Sequence, residues 1–164
     1  MLNVGDLWQK ALNNPENLDD DAIKALLDDR LWFVTDNLGG VSLNSEKETL
    51  FDLLMLVVDS LSEKRTAIIN AYQSMQLTPA LICQGQSQIL QAINSWHEKL
   101  NLQWNKGSQL QNVLFFGILT YSINIWLDDD SPDAAQVMAK IDELITWLLD
   151  MKAQPMQIFT KFGL

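Results

Sequence analysis

Apolar residues along this chain recur three and four positions apart, in stretches separated by turn-forming residues. This period predicts helices over 3–13, 19–36, 46–62, 64–76, 79–100, 108–127 and 132–151, with no strand-like alternation and no internal repeat. Asn14-Pro15 separates the first two helices, Gly39-Gly40 closes the second, and 39–45 reads as a loop. Asp19–Asp21 favour a helix N-terminus, Ser45 and Glu48 form a capping box, and Thr78-Pro79 is a start signal. Ser108 opens the sixth helix. Ser131-Pro132-Asp133 starts the seventh.

Most of these helices have one apolar stripe, but the helix predicted over 108–127 is apolar all round. One face carries Phe115, Phe116, Leu119, Ile123 and Trp126. The other carries Leu110, Val113, Leu114, Gly117, Ile118, Tyr121 and Ile125. A helix of this kind needs cover on every side. Helix 132–151 adds a stripe of Ala134, Met138, Ile141, Ile145 and Leu148, widened by Val137, Leu144, Trp147 and Met151. Two adjacent helices with surplus apolar surface point to a homodimer, with Val113, Gly117, Tyr121, Ile125, Ile141, Ile145 and Leu148 at its interface.

The 164 residues suffice for one ordinary domain, and 48% apolar residues make a packed core feasible. The formal net charge is −10 and is uneven: residues 1–40 carry eight acidic and three basic side chains, and 128–150 carry seven and one. This balance disfavours a nucleic-acid binder that works through a basic surface. Both acidic regions read as solvated faces, with a basic protein partner as the minority alternative.

Little catalytic chemistry is legible. His97 is the single histidine, read as structural or surface. Cys83 is the single cysteine, which excludes an internal disulfide and reads as a buried apolar side chain. Asp128–Asp130 fails as a calcium loop, because Pro132, Asp133 and Ala139 occupy positions that should be a ligand, a glycine and a glutamate. No phosphate loop, dinucleotide fingerprint or helix-turn-helix is present. No enzyme activity, cofactor or metal is therefore expected. Gln84–Gln88, with Gly85 inside it, reads as an exposed turn of helix, with a bend around a ligand as the alternative. No run of 18 uninterrupted apolar residues and no signal peptide is found, so a cytoplasmic location is expected.

The stretch from about 46 to 147 resembles the C-terminal domain of TetR-like proteins. It is most similar to the branch holding the ubiquinone-biosynthesis accessory lipid-binding (Coq-type) protein. The residues that carry the resemblance are Thr49–Met55, Asp59-Ser60-Leu61, Arg65 and, most specifically, Trp126–Asp133, continued by Val137-Met138 and Ile141-Asp142. The resemblance implies an all-α bundle that dimerises through its last two long helices and holds a lipid or other apolar small molecule. The chain then divides into an acidic N-terminal segment, 1–45, without a recognisable DNA-binding motif, a TetR C-terminal-like domain, 46–151, and a short tail, 152–164.

The resulting expectation is a non-enzymatic lipid-binding domain, with an accessory role in ubiquinone biosynthesis as its specific form. The apolar faces of three helices nominate Tyr72, Met75, Ile89, Ile93, Trp96, Phe115, Phe116 and Leu119 as its lining. The alternative is a TetR-family transcriptional regulator whose DNA-binding region is truncated or divergent. DNA is not expected to bind this chain alone, and membrane association stays open.

Overall fold

The computed structural model describes residues 3–74, 79–102, 109–131 and 134–153. Among these residues all regular structure is helical: α1 (Val4–Asn13), α2 (Asp20–Asn37), α3 (Glu46–Ser62), α4 (Arg65–Ser74), α5 (Pro79–Lys99), α6 (Gln109–Asp128) and α7 (Ala135–Ala153), with short 3-10 turns at Pro15–Asn17 and Leu38–Gly40. The chain is all-α, as its apolar period predicts.

Local chemistry accounts for the boundaries. The Asp19 carboxylate accepts from the Ala22 amide at 2.8 Å, and Ser45 Oγ accepts from the Glu48 amide at 3.2 Å. Each side chain thus pairs an amide that the first helical turn leaves without a partner. At the end of α5, Asn101 adopts the left-handed conformation, φ 49°, while the Leu102 amide donates back to the His97 carbonyl and the Asn101 amide to Glu98. This is a Schellman-type cap, and Leu102 is the buried apolar residue that usually accompanies one.

Helix α7 starts later than the Ser131-Pro132-Asp133 signal predicts. Ser131 Oγ accepts from the Ala135 amide at 3.0 Å, and Asp129 Oδ2 accepts from Val137 at 3.2 Å. Ala134 enters the helix with φ 48°, a left-handed conformation that is unfavourable for a residue with a Cβ. Pro132 and Asp133, like Thr78 and Ser108, lie outside the described residues.

The main core lies between α2, α3, α5, α6 and α7, around Val34, Leu53, Leu54, Ile93, Trp96, Phe115, Trp126 and Ile141. Val34, Leu38 and Val41, from the acidic leader, belong to it. Residues on both sides of position 45 therefore share one core. A smaller cluster of Leu7, Trp8, Ala11, Leu26, Ala67 and Ala71 joins α1 to α2 and α4. Arg30, on the inner stripe of α2, is buried there between the rings of Trp8 and Phe33. Its guanidinium pairs with Asp29 and Glu63 and donates to the Ser60 carbonyl, so the buried charge is compensated.

Candidate functional site

Four helices leave a cleft of about 450 Å³ between them. Its walls are Ile23, Lys24 and Leu27 of α2, Ile68 and Tyr72 of α4, Gly85, Gln86, Gln88 and Ile89 of α5, and Phe116, Thr120, Ile123, Asn124 and Leu127 of α6. Its volume is in the range of small-molecule sites, about 300–1,000 Å³, and its lining is mainly apolar with a few polar groups at the edge. Those polar groups are largely engaged. Lys24 pairs with Asp21 at 3.1 Å, Thr120 Oγ1 donates to the Phe116 carbonyl, and Asn124 Nδ2 donates to the Thr120 carbonyl. Gln88 Nε2 donates to Asp28 Oδ1 at 2.8 Å.

Three of the eight nominated lining residues, Tyr72, Ile89 and Phe116, meet in this cleft. Ile93, Trp96, Phe115 and Leu119 do not. All four are buried in the main core, where Trp96 Nε1 donates to Thr35 Oγ1. The correction has a simple cause: successive turns of α5 and α6 present neighbouring apolar residues to different sides, so Phe115 faces inward while Phe116 faces the cleft. Met75 lies outside the described residues. Leu27, Ile68, Ile123, Leu127 and Gln88 are lining residues that the nomination missed. All belong to predicted helices, but only packing shows that α2 closes one side of the cleft. Gly85 sits against Leu27, with a Cβ there at an ordinary 3.7 Å, and α5 runs unbroken through the Gln84–Gln88 segment.

The expected interface residues also divide. Ile141, Ile145 and Leu148 are 0% exposed, so they belong to the core of the single chain and have no surface to offer a partner. On α6, by contrast, Leu110 is 64%, Val113 54% and Tyr121 49% exposed, Ile125 is half-buried, and a Cβ on Gly117 would meet nothing within 4 Å. Trp147 on α7 is 44% exposed. The two helices pack together, and Lys140 lies close enough to feel the Tyr121 phenol. One flank of α6 thus faces the cleft, and its exposed apolar residues lie next to that flank, on the side of the helix turned away from the core. Helix α6 is also, by length and composition, apolar enough to cross a membrane. Its polar residues break the continuous run that a sequence count looks for. Two of them, Asn112 and Ser122, are buried in this fold.

The most distinctive sequence block lies at another place. Arg65 donates to the carbonyls of Trp126 at 2.7 Å and Leu127 at 3.2 Å, and stacks over the Trp126 ring at 4.7 Å. Trp126 Nε1 donates to Ser62 Oγ, and Asp129 accepts from the Ser131 and Val137 amides. Hydrogen bonds from Ser131, side chain first, hold the Asp129 carboxyl below the usual carboxylate range. A cation thus meets the C-terminal carbonyls of α6 while an anion meets the N-terminal amides of α7, the sense that helix dipoles favour. Asp129 is a capping residue here.

His97 is buried against Phe115 with ring centroids 4.9 Å apart. Asn112 Nδ2 donates to Asn94, so Asn112 Oδ1 accepts from His97 Nδ1 at 3.1 Å. Burial pushes the imidazole pKa down to about 4, against the opposing effect of the Asn112 hydrogen bond. Cys83 is exposed, contrary to the buried role expected of it. Among the described residues no group of three His, Cys, Asp or Glu side chains could hold a metal ion. In comparisons with family models, curated proteins and solved structures, no match to this chain is found.

Proposed function

We propose that this chain is a non-enzymatic binding domain for an apolar small molecule or lipid, and that it works as a homodimer. The cleft between α2, α4, α5 and α6 is the observation that carries the reading. Its apolar walls would supply most of the affinity, at about 25 cal/mol per Å² removed from water. The resemblance to the lipid-holding branch of TetR-like proteins supports the same reading and favours an isoprenoid or similar lipid in an accessory role. A DNA-binding regulator draws no support from the N-terminal helices. They are acidic, α2 forms a wall of the cleft, and Arg30 is buried and paired.

Native mass spectrometry and solvent extraction of the purified protein test the ligand. An apolar molecule should accompany the wild type and be lost or exchanged in Ile123→Trp, which fills the cleft. Protein that carries none, and that takes up no hydrophobic fluorophore, would overturn the reading. The open face of Leu110, Val113, Gly117, Tyr121 and Trp147 supports the dimer. Gly117→Trp adds bulk where the single chain has room, so it should weaken association by at least tenfold in sedimentation and leave the monomer folded. A wild type that is monomeric at high concentration would remove the dimer from the proposal.

A further inference from the structure

The cleft and the exposed apolar residues of α6 are neighbours on one helix. Phe116, Thr120, Ile123, Asn124 and Leu127 line the cleft, and Leu110, Val113, Gly117 and Tyr121 lie next to them, turned away from the core. Gly117 is three residues from Thr120, and Tyr121 is three from Asn124. That is the spacing of neighbours on a helix surface, so the cleft wall and the exposed row form one continuous surface. Its polar groups are turned inward: the Thr120 hydroxyl and the Asn124 amide nitrogen donate to carbonyls of their own helix. In the single chain the cleft stays open at this edge, where its wall residues Tyr72, Thr120 and Asn124 are exposed.

Charge, symmetry and space point to a second copy of this chain as the cover. From Gln109 to Leu127 there is no charged side chain, in a chain whose net charge is −10, so two copies repel least across this face. The row is centred on Gly117: Val113 and Tyr121 lie four residues to either side of it, Leu110 and Asn124 seven. A two-fold axis brings the same surface of each copy together, so a row symmetric about one small residue suits an antiparallel crossing of α6 on α6. A Cβ on Gly117 would meet nothing within 4 Å, so the position leaves room for another backbone to approach closely. A lipid surface fits less well, because helices that lie on a bilayer flank their apolar face with Lys and Arg, and α6 has neither.

We propose that the cleft in one chain is an incomplete site, and that a second copy seated on the Gly117 row closes its open edge, so that ligand binding and dimerisation strengthen each other. This rests on the cleft being the binding site. Packed helices lie about 8–10 Å apart, so a partner helix that crosses at Gly117 runs beside Thr120 and Asn124 at the edge of the cleft. Ligand surface that one chain leaves in water is then covered by the other, which is the source of the coupling. A ligand that meets both copies binds the dimer better than the monomer, and linkage requires that it tighten the dimer in turn.

Titration with the neutral fluorophore N-phenyl-1-naphthylamine, at protein concentrations spanning the dimer dissociation constant found by sedimentation, tests this. The wild type should bind the probe about tenfold more tightly as a dimer than as a monomer, and saturating probe should shift sedimentation toward the dimer. Val113→Glu places a charge on the row at an exposed position outside the cleft. It should be a folded monomer by circular dichroism and sedimentation, and should bind the probe with the weaker, monomer affinity at every concentration. Probe bound equally well by monomer and dimer would overturn the coupling and leave the cleft as a site complete in one chain. A wild type that binds no probe at any concentration would overturn the cleft itself. A wild type that stays monomeric with and without probe would overturn the role of the second copy, and pelleting of that monomer with phosphatidylcholine vesicles would give the row to a lipid surface.

Discussion

The Arg65–Trp126–Asp129 junction and the cleft are both enclosed partly by α4 and α6, yet they are opposites in chemistry. At the junction, every polar side chain described above has a partner. Arg65 satisfies two carbonyls, Asp129 two amides, and Trp126 a serine hydroxyl. The cleft is walled mainly by ordinary aliphatic and aromatic side chains. The residues that stand out most in the sequence therefore hold two helix ends together, while the residues best placed to meet a ligand are of common types. A distinctive motif marks a demanding local geometry, and that geometry can be structural as readily as functional. An unpaired buried atom alone does not make a site either. His97 Nε2 is without a partner among the described residues, and it does not line the cleft.

The sharpest way to break this contrast is to damage one region and read the other. Arg65→Met removes two charge-assisted hydrogen bonds and the stacking on Trp126, and should cost about 3 kcal/mol in urea unfolding while ligand affinity of the folded protein is unchanged. Ile123→Trp should do the reverse, losing at least tenfold in binding with a stability change of about 1 kcal/mol. If Arg65→Met abolished binding in folded protein, the division between the two regions would fail.

His97 gives an effect of similar size through pH. Its folded-state pKa, about 4, lies below the ordinary 6.5, so the unfolded chain binds the extra proton more readily. The stability linked to its neutral form is therefore full above pH 6.5, declines as the pH falls, and is lost below about 4. The total is about 3 kcal/mol. Unfolding free energies measured from pH 7 to 4 should show this slope in the wild type and a flatter profile in His97→Gln. An unchanged slope in the variant would assign the acid sensitivity to other groups.

The smallest effect belongs to the α7 entry. Ala134 has φ 48°, so Ala134→Gly should stabilise the fold by about 0.5–1 kcal/mol, read as a raised melting temperature. A destabilised variant would show that the Ala134 methyl packs usefully enough to offset its backbone strain.

Much of the fold was legible because local forces set it. The 3.6-residue period, Asp19, Ser45 and Asn14-Pro15 place most helix ends within a residue or two. The start of α7 was less legible, since Ser131 of the Ser-Pro-Asp signal caps at the Ala135 amide and Asp129 adds a second cap at Val137. The site was legible only in part. Tyr72, Ile89 and Phe116 were found from apolar faces. Phe115, Trp96, Ile141 and Ile145 look the same in sequence and turned out to be core, because a period shows that a face is apolar and not what covers it.

The sequence by itself determined the helices, their caps, the acidic balance and the surplus of apolar surface on α6, all of which depend on neighbours within a few turns. Tertiary structure alone decided which flank of α6 is core, which faces the cleft and which is open, and that the Gln88 amide pairs with Asp28, sixty residues away. Those outcomes depend on contacts between distant segments, and the spacing of residues along one helix carries no information about its partners.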